Sequence, residues 1–155
     1  MKWFLPLLSA LLLLTAASGC GPRVPTDYDT LAAALENTGA VITTGNTGDK
    51  AWVFEVPSRP LTFDGNHLSV FEFPDSGIAR NAADRVSADG FFIEMLSPFS
   101  EDFPIKQGPA IFDWIAPPHF FLSGRIIVLY VGVDPRVHTL LTTLLGEQFA
   151  GAPAP

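Results

Sequence analysis

The sequence predicts an α+β domain: an antiparallel sheet with helices packed mainly on one face, built as two duplicated helix-plus-strands units and a C-terminal helix. Three observations carry this reading. After Arg125 the chain is apolar at every position through Val131, and a run without alternation reads as a strand covered on both faces. Asp134 and Pro135 then supply an N-cap and a first helical residue, and Val137, Leu140, Leu141, Leu144 and Leu145 recur at helical spacing until Gly146. The same order of strand, proline kink, hairpin and capped helix stands earlier in the chain, with Asp75 in the place of Asp134 and Gly65 in the place of Gly124.

The first helix starts at Thr26 or Asp27 as N-cap, turns Tyr28, Leu31, Ala32 and Leu35 to one side, and ends at Gly39. Residues 40–44 suit a strand and 45–49 a turn. In the first copy, 52–56 reads as a strand, the prolines at 57 and 60 as a kink, and 61–63 with 67–73 as a hairpin about 64–66. Asp75 caps a helix whose apolar side is Ile78, Ala79, Ala82, Ala83 and Val86. In the second copy the strand is 112–115, the kink 116–118, and the hairpin 120–122 with 126–131 about Gly124. The lead-ins 35–42 and 86–93 also correspond. A mixed sheet and a closed barrel fit the same pattern less directly.

The chain opens with Lys2, an apolar stretch over 4–15, and small residues at 16–19 before Cys20, the single cysteine. This is an export signal, and its end resembles the bacterial lipoprotein lipobox, which implies cleavage before Cys20 and acylation of its thiol. A membrane-spanning anchor needs about 20 apolar residues, more than this stretch offers; an ordinary secretory signal is the rival reading. Each buried acyl methylene contributes about 0.8 kcal/mol, so two or three chains would hold the protein to a membrane. The organisation expected is a signal at 1–19, a lipidated tether at 20–25, one domain at 26–149 and a flexible tail at 150–155. Sixteen acidic against nine basic residues, with no basic run, argue against nucleic acid as a partner.

From residue 51 to 146 the chain resembles a group of small uncharacterised lipoproteins of environmental bacteria. The likeness rests on 70–73 with Asp75, on 114–121, and on 124–132 with Asp134. It implies a shared fold and export route and carries no activity.

Chemistry is sparse. No Gly-x-Ser-x-Gly elbow is present, and His67, His119 and His138 never fall at the spacing by which one element ligates a metal twice. No cofactor, metal or catalytic residue is therefore assigned. His119, after the prolines at 117 and 118, is the histidine best placed to be aimed, and strand-end bonding to a carbonyl is its plainer role. Asp64 beside His67, and Glu72 with Asp113, are the other pairs to locate.

Aromatic residues crowd the second half: Phe91, Phe92, Phe99, Phe103, Phe112 and Trp114. They make either core or an exposed apolar surface. Because Ile126–Val131 needs a second cover, the loop 97–109 is expected to fold over the far face of the sheet. There Phe99 and Phe103 would form a partly open pocket with Trp114 and Tyr130. Phe99, Phe103, Trp114, His119 and Tyr130 are thus the candidate contacts for a protein partner or apolar ligand. The function expected is a lipid-anchored, non-catalytic binding or assembly module in the bacterial cell envelope, on the extracytoplasmic side of a membrane. The alternative is a hydrolase using His119 with a nearby carboxylate.

Overall fold

The computed structural model describes residues 23–48, 53–96 and 106–154. Cys20, Trp52, Phe99, Phe103, the expected export signal and most of the expected lid lie outside them. The elements run α1 (Tyr28–Glu36), β1 (Ile42–Thr44), β2 (Ser58–Phe63), β3 (Asn66–Glu72), α2 (Ser76–Ala83), β4 (Phe92–Leu96), β5 (Lys106–Ile111), β6 (Pro118–Ser123), β7 (Ile126–Val131), α3 (Pro135–Leu145) and β8 (Ala150–Gly151). Six strands form one antiparallel sheet in the order β1-β2-β3-β7-β6-β8, and β4 pairs with β5 apart from it. The α+β class and the closing helix are as the sequence indicates.

Short polar side chains start each helix. Asp27 accepts the Thr30 N–H at 2.9 Å while the Thr30 hydroxyl accepts the Asp27 N–H at 3.2 Å, a reciprocal cap. Asp75 accepts from the N–H groups of Gly77 and Ile78 at 2.8 and 2.9 Å, and Asp134 from that of Arg136 at 2.9 Å. Each bond satisfies a donor that the first helical turn leaves without a partner.

The helices take opposite sides. α1 and α3 bury Leu31, Leu35, Val137 and Leu141 against Leu61, Leu68, Val70, Phe121, Val128 and Tyr130. α2 lies on the other face, its Ala79, Ala82 and Ala83 allowing close approach to Phe71, Phe120, Ile127 and Leu129. Two of the three helices thus share one face, and β7 is apolar at every position because both its faces are covered.

Among the described residues the second cover consists of α2, the bent segment 53–56 with buried Val53 and Phe54, Ile93 of β4, and Phe112, Trp114 and Phe149. Residues 53–56 and 112–115 are not the strands their apolar content suggested: outside β5, which ends at Ile111, the latter is irregular. The positions beside β2 and β6 are held by β1 and β8, so these segments lie over the sheet as cover.

The two hairpins β2–β3 and β6–β7 are joined through β3 and β7. Ser69 pairs with Leu129, flanked by Leu68 with Tyr130 and Val70 with Val128, the arrangement of a local twofold axis through the Ser69–Leu129 pair. The turns are chemically different. Asp64 and Gly65 both have positive φ, 44° and 80°, as in a type I′ turn, whereas in the second turn only Gly124 does, at 55°, as in type II′. Since Phe63 pairs with Asn66 and Ser123 with Ile126, Gly124 occupies the position of Asp64 and not of Gly65. The alignment that matches the helix caps is therefore one residue out of step within the hairpins.

Both chain ends of the domain are fastened more firmly than a tether and a free tail. Pro25 is buried, its carbonyl accepting the Ser123 hydroxyl at 2.5 Å, and the Thr26 carbonyl accepts the Arg125 N–H at 3.0 Å. At the other end β8 pairs with β6, and the Ala152 N–H donates to the Pro118 carbonyl at 2.9 Å. Gly151 permits this approach: at φ +120° a Cβ there would stand 2.1 Å from the Pro118 oxygen.

Candidate functional site

The candidate contacts separate onto the two faces. Trp114 belongs to the α2 side: it stacks on Phe112 with ring centroids 5.1 Å apart, meets Phe120 edge-on, and donates from Nε1 to the Gly90 carbonyl at 2.9 Å. Tyr130 is buried on the α1–α3 side, where its ring stacks on His119 and its hydroxyl oxygen accepts the Asp134 N–H at 3.0 Å. The sheet lies between them. Trp114 and Tyr130 therefore do not line one pocket.

His119 is 1 % exposed. Its Nδ1 lies 2.8 Å from Gln148 Oε1 and its Nε2 3.2 Å from the Gly132 carbonyl. Both neighbours are carbonyl oxygens, so the carboxylate a hydrolytic base would lean on is replaced by an amide. His138, from the buried side of α3, packs edge-on to the His119 ring and reaches the same Gln148 oxygen at 3.0 Å. Sequence spacing did not join these residues, because they come from a strand, a helix and the segment after it.

The other pairs do not meet as pairs. Asp64 turns to the Val41 N–H, 2.9 Å away, while His67 Nδ1 lies 3.1 Å from the Thr62 hydroxyl. Glu72 holds Arg125 at 2.6 Å, and Asp113 is exposed. A cleft of about 450 Å³ beside Glu72 also contains Arg59, but that guanidinium lies over the Tyr28 ring at 3.6 Å and reaches Asp29 at 3.4 Å. Each cleft arginine is thus already matched to an acid.

Shifted carboxyls follow the same local pairing. The Thr30 hydroxyl and N–H hold Asp27 low, the Ser87 hydroxyl does so for Asp89, and the Arg136 side chain for Asp134. Burial pushes Glu55 up, but its hydrogen bonds to the Arg85 guanidinium outweigh this and leave it lowered. Burial raises Tyr28, whose hydroxyl donates to the Pro60 carbonyl at 3.0 Å. These are capping and bracing groups and not a convergent acid–base set.

One cleft combines openness with unpaired apolar surface. It measures about 450 Å³ and is lined by Asn66, His67, Ser69, Ile115, Leu129 and Val133 among others. Ile115 is 100 % and Val133 65 % exposed, so its rim carries two aliphatic side chains in water. Neither was singled out from the sequence; the only available signal was an apolar residue beside a proline kink and another after a strand-ending glycine. No family model, curated protein or solved structure matches the chain.

Proposed function

We propose that this chain is a lipid-anchored, non-catalytic binding or assembly module on the extracytoplasmic side of a bacterial membrane, held by acyl chains on Cys20. The Ile115–Val133 cleft is where it receives an aliphatic group of a protein partner or an apolar ligand. The observation that carries this reading is the exposed aliphatic rim over a cleft of ligand size. Its position supports the same reading. The chain enters the domain at the β6–β7 turn, where Ser123 and Arg125 hold Pro25 and Thr26, and the cleft lies at the opposite end of β7. A domain tethered at the first end turns the second toward the aqueous compartment.

Two measurements test the halves separately. Cys20→Ala should move the protein from the membrane fraction to the soluble fraction; a mutant that stays membrane-bound, or mass spectrometry showing an unmodified Cys20 in the mature protein, removes the anchor. The fluorescent apolar probe anilinonaphthalene sulfonate should bind saturably and about tenfold more weakly to Ile115→Asp. Unchanged binding in that variant removes the cleft.

A further inference from the structure

Each arginine of the cleft beside Glu72 uses only part of its hydrogen-bonding capacity on the acid it meets. A guanidinium carries five N–H donors in a planar fork. Arg125 Nη2 reaches Glu72 Oε1 at 2.6 Å, and among the described residues its Nε and Nη1 meet no acceptor. Arg59 lies 3.6 Å over the Tyr28 ring, donates from Nε to the Gly45 carbonyl at 3.3 Å, and reaches Asp29 from Nη1 at a long 3.4 Å. Its Nη2 is left over. Asp29 is 90 % and Glu72 31 % exposed, and ion pairs in that setting are weak enough to give way to a better-matched ligand.

The cleft stands where the chain enters the domain. The Arg125 N–H donates to the Thr26 carbonyl at 3.0 Å while the Arg125 side chain lines the cleft. Five residue steps lead from Cys20 to Pro25, and they span at most about 18 Å. Arg23, exposed within that span, adds a third guanidinium. With Cys20 acylated, this end of the sheet is held at the level of the lipid headgroups.

We propose that this cleft, about 450 Å³ in volume, binds the headgroup of a phospholipid that bears a primary amine, in the same membrane that holds the acyl chains. The phosphate lies between Arg125 and Arg59, whose forked donors match its oxygens. The ammonium takes Glu72 as its acceptor. Val56, Pro57 and Pro74 line the remaining wall, an apolar surface suited to the glycerol ester region. A purely anionic headgroup fits less well, because Glu72 opposes it. The inference rests on the lipid anchor proposed above and adds an orientation to it. The headgroup clamps the β6–β7 end of the domain to the bilayer, and Ile115 and Val133, at the far end of β7, stand in water.

For the test, the full acylated chain is inserted into three kinds of vesicle: digalactosyldiacylglycerol alone, which has no phosphate, and the same lipid mixed with an equal part of phosphatidylethanolamine or of phosphatidylglycerol. Followed by circular dichroism, the melting temperature should be higher by about 3 °C or more with phosphatidylethanolamine than in the phosphate-free vesicle. Phosphatidylglycerol should raise it less. Arg125→Gln should lose the rise, and Glu72→Gln, which leaves both arginines in place, should respond equally to the two phospholipids. Arg136→Gln, at the other end of β7, should behave as the wild type. Equal melting temperatures in all three vesicles overturn the proposal, as does a rise that survives Arg125→Gln. An equal rise produced on phosphate-free vesicles by soluble phosphoethanolamine assigns the cleft to a soluble phosphoamine and overturns the lipid. Flotation keeps the two readings apart: a chain that does not float with the vesicles overturns the anchor, whereas one that floats with all three and melts alike in them overturns this inference alone.

Discussion

The hairpins β2–β3 and β6–β7 share a two-residue turn, a pairing register and an aspartate-capped helix downstream, yet one is buried far more deeply than the other. In β7 five of six residues are buried, whereas in β3 the buried ones are Leu68, Val70 and Phe71. The cause lies in where the following helices go. α2 leaves the first hairpin to pack on β6 and β7, and α3 leaves the second to pack on the opposite face of β6, so it is the second hairpin that is covered twice. The difference teaches that a local repeat sets strand and turn, while the depth of burial belongs to what crosses over the sheet.

The sharpest way to break this comparison is at the local axis, where Leu129 is 4 % exposed and its partner Ser69 is half-buried. Leu129→Ala should cost about 2–5 kcal/mol by removing packing beneath α2. Ser69→Ala should change stability by about 0.5 kcal/mol or less. Urea denaturation of the two variants measures both, and a similar cost for each would mean that the two hairpins are equally buried after all.

A smaller effect separates the turns. Gly65 has φ +80° with nothing within 4 Å of an added Cβ, so Gly65→Ala should carry only the left-handed strain, roughly 1–2 kcal/mol. At Gly124, with φ +55°, the Cβ would also stand 2.5 Å from Thr26 Cβ and 2.7 Å from the Thr26 carbonyl oxygen. Gly124→Ala should therefore lower the melting temperature more, by loosening the entry of the chain as well. Equal melting temperatures would show that the Thr26 contact is not needed to hold the second turn.

The smallest effect concerns how the α2 face is braced. Arg85, near the end of α2, grips Glu55 of the covering segment with both guanidinium nitrogens. Because the folded Glu55 carboxyl sits below its ordinary value of 4.5, its contribution is present above pH 4.5 and fades as pH falls below that value toward the lowered one. Arg85→Gln should lower stability at neutral pH by that contribution and flatten this part of the acid unfolding curve, so that variant and wild type converge at low pH. A wild-type curve already flat between pH 5 and the acid transition, with the variant superimposable on it, would remove the brace.

The sequence by itself determined the α+β class, all three helix caps, both main hairpins and the fully apolar strand. Each of these rests on interactions within a few residues: Asp75 with Gly77 and Ile78, Asp134 with Arg136, Asp64 and Gly65 at one turn. Periodicity could also say that Ile126–Val131 was covered on both sides. It could not say by what, because α2 and a capped helix bound for the opposite face have the same local signature. The segments 53–56 and 112–115 were misread for a related reason, since an apolar stretch does not reveal whether a strand edge is left for it to join. Tertiary structure alone placed Trp114 and Tyr130 on opposite faces, left Ile115 and Val133 in water, and brought His119, His138 and Gln148 to one oxygen atom. Those outcomes depend on contacts between residues distant along the chain, and side-chain chemistry read in order carries no record of which distant residues the fold will bring together.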